Sequence, residues 1–184
     1  MNAVVIYESM YGNTRAIANA VAEGLRSQGD AVAIPVGEAD ARVIGTADLV
    51  VVGGPTHVHG MSRESTRKGA ETRALAPGAT VVLEPGASGP GLRDWFATLG
   101  RLTAKAAAFD TRAHGPAALT GRASKGITRE LHRHHATVIS EPHSFVVTKD
   151  NQLDAGEEAS AREWGVRLGR MVASRSGAVS GAAR

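Results

Sequence analysis

The chain has 184 residues, 42% of them hydrophobic and 21% charged, a balance that leaves room for one domain with a full core and excludes a disordered polymer. It contains no cysteine, which excludes disulfides, zinc–thiolate sites, iron–sulfur clusters and cysteine nucleophiles. The net charge of +3 is too mild to argue for a nucleic-acid partner, and no run is long enough to span a bilayer. The N-terminus goes straight into a strand-like run with no signal peptide, so the expected location is cytoplasmic.

The apolar, β-branched run Val4-Val5-Ile6 reads as a buried strand. It breaks into the polar loop Ser9-Met10-Tyr11-Gly12-Asn13-Thr14, after which Ile17, Ala20, Val21 and Leu25 fall at helical spacing. A strand, a hydroxyl-rich turn and a helix make an anion cradle, because the amides of the first helical turn converge and the helix dipole adds positive potential there. Ser9, Asn13 and Thr14 supply neutral donors, and no lysine or arginine precedes Arg15, unlike the Gly-Lys-Ser/Thr signature of a P-loop. The plainer alternative is that Ser9 and Asn13 only end a strand and cap a helix.

Gly29-Asp30 stops the first helix, and residues 31–36 read as a second strand. Pro35 cannot donate to a ladder, which places this strand at a sheet edge. Residues 47–54 give the next strand. Its run Leu49-Val50-Val51-Val52 is apolar without alternation, so it is expected to be buried on both faces of a parallel sheet between helix layers. This strand leads into a second loop, Gly53-Gly54-Pro55-Thr56-His57-Val58-His59-Gly60.

Residues 61–75 are polar and read as an exposed helix or a mobile loop. Residues 77–90 read as a short strand or a packed loop around Val81-Val82-Leu83. Leu92, Trp95, Phe96 and Leu99 fall at helical spacing, which makes the two aromatics core residues. So long a connection is expected to cover a site or to form subunit contacts, which leaves a homo-oligomer open. Residues 105–109 are the fourth strand, and Asp110-Thr111-Arg112 begins a third loop. A helix over about 122–135 turns Ile127 and Leu131 inward. Residues 137–140 and 144–147 form a fifth strand interrupted at Glu141-Pro142-His143, and a last helix spans 156–172. The expected fold is therefore α/β, a doubly wound three-layer sandwich with a five-stranded parallel sheet of order 2-1-3-4-5. One domain is expected over 1–173, with a flexible tail over 174–184.

Ser-x-Tyr-Gly-Asn-Thr over residues 9–14 resembles the phosphate loop of the flavodoxin family, and residues 53–60 resemble that family's Gly-x-Pro-Thr-x-x-x-Gly loop. The resemblance implies FMN as cofactor. Its phosphate would lie on Ser9, Met10, Tyr11, Gly12, Asn13 and Thr14. Its ring would lie between Pro55, Thr56, His57, Val58, His59 and Gly60 on one side and Asp110, Thr111 and Arg112 on the other. His57 is the candidate for stacking on or hydrogen-bonding to the ring edge. Residues 109–116 depart from the family's glycine–aspartate pattern in the third loop, which puts the ring's environment in question. Tyrosine at position 11 is more similar to flavodoxin-like NAD(P)H:quinone oxidoreductases, and the basic balance differs from the acidic electron carriers.

Three functions therefore compete: an electron carrier working with a redox partner protein, an NAD(P)H-dependent reductase of a quinone or other small acceptor, and a binding module without flavin. Other chemistries fit less well. His57-x-His59 as a metal pair would belong on a barrel larger than this chain allows. Residues 86–90 lack the second glycine of a nucleophile elbow, since Pro90 stands in its place. A phosphoacceptor domain needs an acidic cluster at the end of the first strand and an aspartate ending the third, where Glu8-Ser9 and Gly53-Gly54 stand.

Overall fold

The computed structural model describes residues 1–180. In chain order the strands are β1 (Asn2–Tyr7), β2 (Asp30–Pro35), β3 (Leu49–His57), β4 (Gly60–Met61), β5 (Lys105–Ala113), β6 (Thr137–Val138) and β7 (His143–Val147). The helices are α1 (Asn13–Leu25), α2 (Ala41–Gly45), α3 (Glu64–Leu75), α4 (Leu92–Thr98), α5 (Ala117–Thr120), α6 (Ala123–Arg133) and α7 (Glu157–Ser180). Helix α7 runs on past Val172 into the expected tail. Residues 181–184 of that tail lie outside the described residues.

The sheet order is β2-β1-β3-β5, with β6 and then β7 both pairing in parallel with the far side of β5. This is the expected 2-1-3-4-5 order, with the fifth strand in two pieces around Pro142. Strand β2 lies at the edge, and its proline falls on the last ladder position, opposite Tyr7. Among the described residues the strand pairing is antiparallel in the short β3–β4 hairpin, in which His57 faces Gly60, and Val147 and Leu153 add an isolated antiparallel bridge.

Strand alternation divides the apolar residues between two cores. Val4, Ile6, Val50 and Val52 pack with Trp95, Phe96, Ile127 and Leu131 against α4 and α6. Val5, Leu49, Val51 and Phe109 pack with Ile17, Val21, Leu25, Trp164 and Leu168 against α1 and α7. The three layers follow directly, since a strand buried on both faces requires helices on both sides.

Two expectations need correction. Residues 110–112 do not begin a loop, because β5 continues to Ala113 with β3 paired along Gly53–Pro55 and β7 paired along its other edge. Residues 53–60 are likewise not an open loop; they are the end of β3, a tight turn and β4. Of the long connection, residues 64–75 are helix α3, and residues 81–83 form a packed loop without strand pairing.

Candidate functional site

At the carboxyl ends of β1, β3 and β5 the chain leaves a cleft of about 490 Å³, within the range of small-molecule sites. The turn after β1 enters α1 through Gly12, whose φ of 97° suits glycine, and Ala16 N–H donates to Gly12 O at 2.9 Å to begin the helix. The next amides, Asn13, Thr14 and Arg15, belong to the first turn, where a helix offers no acceptor of its own. Asn13 and Thr14 line the cleft with Met10 and Tyr11.

The polar side chains of this turn are already engaged. Ser9 Oγ accepts from Gly12 N–H at 3.2 Å and lies behind the turn, in a separate depression with Glu84. Asn13 Nδ2 donates to Asn151 O at 3.0 Å, tying the turn to the loop after β7. Tyr11 Oη donates to Ala70 O at 2.9 Å, which fastens the turn to α3. Thr14 and Thr111 are both buried, and their hydroxyls share a hydrogen bond of 2.8 Å. When Thr111 donates, the Thr14 proton remains free to point at an anion. Arg15 carries no free charge to the turn, because Glu84 pairs with it at 2.7 Å.

The second wall is the end of β3. Pro55, Thr56, His57 and Val58 line the cleft, whereas His59 and Gly60 face a different depression on the far side of the hairpin. The turn residues Val58 and His59 have φ of 44° and 69°, as a two-residue hairpin turn requires. For a β-branched valine this is a strained backbone, held because Thr56–Met61 and His57–Gly60 pair on either side of it. The third wall is β5, where alternation separates neighbours. Thr111 and Arg112 line the cleft, but Asp110 points to the opposite face, fully buried, and accepts from Ser124 N–H at 2.7 Å at the start of α6. The Arg112 guanidinium is turned toward Gly115 O (2.7 Å) and Thr120 Oγ1 (3.0 Å).

Of the residues expected at the site, Met10, Tyr11, Asn13, Thr14, Pro55, Thr56, His57, Val58, Thr111 and Arg112 share the cleft. Ser9, Gly12, His59, Gly60 and Asp110 stand behind or beside it. Sequence reasoning missed two contributors: Gly69, Ala70 and Arg73 on α3, and Val147, Thr148, Lys149 and Asn151 after β7. A cation at the end of a polar helix and another after a strand are the signals available for Arg73 and Lys149.

Half-buried His57 has its pKa lowered, first by burial and then by the Arg67 charge, with Glu8 opposing. His143, stacked on Trp164 at 5.5 Å, is lowered by burial, then by Arg167 and Arg122, with Asp110 opposing. Both rings are thus held neutral in the fold. The unfolded chain takes up their protons near pH 6.5, so their contribution to stability is intact above that pH and is lost as the pH falls toward the depressed folded values. Urea midpoints are expected to be flat from pH 8 to 7 and to fall between about pH 6.5 and 5.5. A His57→Gln/His143→Gln double variant should flatten this fall; an unchanged slope in the variant would refute the assignment.

A doubly wound parallel sheet with its crevice at the carboxyl ends of the strands, beside the start of the first helix, defines the flavodoxin-like class. A family model described as a flavodoxin domain matches residues 4–67, which carry the first turn and the β3–β4 hairpin. The chain is flavodoxin-like in sequence over that segment and in fold throughout. A flavodoxin from the domain Archaea is 17% identical, with 94% of this chain and 99% of that chain covered and a TM-score of 0.63. Oxidised flavodoxin 1 from Bacillus cereus is 17% identical over 92% of this chain and 98% of its own, with a TM-score of 0.63. A WrbA-like flavodoxin protein from Agrobacterium tumefaciens is 18% identical, covering 94% of this chain and 98% of that one, with a TM-score of 0.56. No curated protein matches the sequence. Among the described residues, no helix is long and apolar enough to cross a membrane.

Proposed function

We propose that the protein binds FMN in this cleft and acts in electron transfer. The supporting observation is convergence: the start of α1, the end of β3 and the end of β5 meet on one cleft, with a buried threonine pair beneath it. The donor set suits a phosphate monoester, since first-turn amides and a threonine hydroxyl bind an anion through neutral dipoles. Met10, Pro55 and Val58 offer apolar surface for a ring, and Arg73 and Lys149 bring positive charge to the rim. When bound, FMN supplies the electron-carrying chemistry. The chain's own residues bind it, orient it and set the field around it, and His57 would face it as a neutral ring.

Replacing Thr14 by alanine removes one donor to a charged group, so the Kd for FMN is expected to rise about tenfold or more in a fluorescence-quenching titration. Thr14→Ser should restore most of the loss. Unchanged affinity in the alanine variant would place the phosphate elsewhere.

A second reading, an NAD(P)H-dependent reductase of a quinone or other small acceptor, is favoured by the wall that α3 builds. Tyr11 is anchored to that helix, and Arg73 adds a cation where electron carriers are acidic. Anaerobic NAD(P)H separates the readings. Direct bleaching of the purified protein's visible absorption supports the reductase, and bleaching that requires a partner reductase supports the carrier. A colourless protein that takes up no added FMN leaves only a binding module.

A further inference from the structure

Across the β3–β4 hairpin from the first cleft lies a second one of about 510 Å³. The hairpin is their common wall, with Val58 facing one and His59 the other. Four cations line the second cleft: Arg93 from α4, Arg122 at the start of α6, and Lys125 and Arg129 one turn apart on α6. None of the four forms a salt bridge among the described residues, although seven other lysines and arginines do. The one acid in the cleft, Glu130, is taken by Arg133 at 2.7 Å.

Two of the cations are held in place by neutral acceptors. Arg93 Nε donates to Ser62 O at 2.9 Å. Arg122 Nε donates to Ser144 Oγ at 3.1 Å and its Nη2 to Pro142 O at 2.7 Å. Each arginine is thus oriented without being neutralised, and the entropy of fixing a long side chain is already spent. The wall opposite is stiff: Gly121, with φ of 77°, lies so close to His59 that an added Cβ would stand 2.1 Å from its Cα. A solvated surface charge shows none of these features, since it is spread over a convex face and leaves its side chain free.

We propose that this second cleft binds a phosphate-bearing small molecule, with its anionic group held between Arg93, Arg122, Lys125 and Arg129. Arginine forks match phosphate oxygens in pairs, and uncompensated cations in a concavity focus the field on an anion. The volume suits a small ligand, and no tryptophan, tyrosine or phenylalanine lines the cleft, so it lacks the aromatic anchors of a protein interface. The site goes beyond the FMN reading and does not depend on it. A ligand seated there would lie beside the first cleft, separated only by the hairpin turn.

The test is calorimetric titration of the full chain with inorganic pyrophosphate at low salt, after saturation with FMN if FMN is taken up and as isolated if not. Saturable binding is expected, with a Kd on the order of 0.1–1 mM. Lys125→Gln/Arg129→Gln, two exposed residues, should weaken it about tenfold. A charge-matched control at exposed cations elsewhere, Arg101→Gln/Arg170→Gln, should leave it unchanged. Amide shifts in NMR should move over residues 121–130. Equal loss in both double variants would reduce the effect to net charge and overturn the proposal. So would the absence of saturation, shifts confined to residues 12–15, or binding of polyglutamate but not pyrophosphate, the last marking a face for acidic polypeptides. Because flavin uptake is read from the visible spectrum, failure of the FMN reading and failure of this one are seen separately.

Discussion

Glu8→Ala is expected to lower the free energy of unfolding by about 3–5 kcal/mol, the scale of breaking a buried charged network by removing one member. Glu8 is 4% exposed. One carboxylate oxygen accepts from Ser62 Oγ–H, and the other accepts from Leu92 N–H at 2.8 Å. Arg67, 6% exposed, donates to the same Ser62 hydroxyl at 3.3 Å and to Asp94 at 2.8 Å. Both charged groups crowd Gly91, where a Cβ would stand 2.5 Å from Arg67 Nη1 and 2.8 Å from Glu8 Oε2. Alanine at position 8 leaves the Leu92 amide without an acceptor and Arg67 buried with less negative charge around it. The network ties the end of β1 to the starts of α3 and α4, so the connection over residues 62–94 should loosen first. Urea unfolding gives the energy and hydrogen exchange at Leu92 gives the place. A loss below about 1 kcal/mol would mean that water replaces the carboxylate.

Gly24→Ala carries the second large effect, and its sign is the point. On helix propensity alone, alanine in place of glycine inside α1 should stabilise by about 1 kcal/mol. In the fold, a Cβ at position 24 would stand 2.0 Å from the backbone oxygen of Arg162 and 2.9 Å from Val166 N. From the other side, a Cβ at position 165 would stand 2.3 Å from the backbone oxygen of Val21. Helices α1 and α7 therefore touch backbone to backbone, and neither can yield without moving whole. Overpacking should win, with a net loss of about 3 kcal/mol or more in thermal or urea unfolding. Because the start of α1 forms one end of the candidate site, displacement of that helix should also weaken FMN uptake. A variant as stable as the parent would show that α7 gives way easily.

What the sequence alone determined is the local and periodic part of this protein. The β-branched runs at Val4–Ile6 and Leu49–Val52 carry their burial in their composition. Pro35 marks an edge because it lacks an N–H, and Trp95 and Phe96 declare core at helical spacing. The two loops at 9–14 and 53–60 could be placed at one end of the sheet because parallel strands put successive carboxyl ends together.

Tertiary structure alone decided where polar side chains go. Asp110 looks like a strand-breaking acid beside a loop, yet β5 runs through it, and the Ser124 amide donates to one of its two carboxylate oxygens. Ser9 and Asn13 read as donors to a ligand, but Ser9 Oγ accepts from Gly12 N–H and lies outside the cleft, and Asn13 Nδ2 donates to Asn151 O. The polar stretch over residues 61–75 shows no apolar stripe because its decisive contacts are the buried Arg67 and the carbonyl of Ala70. Neither leaves a period in the sequence. Apolar burial repeats with the backbone and is written locally; a hydrogen bond needs one particular partner, and here that partner is often sixty or more residues away.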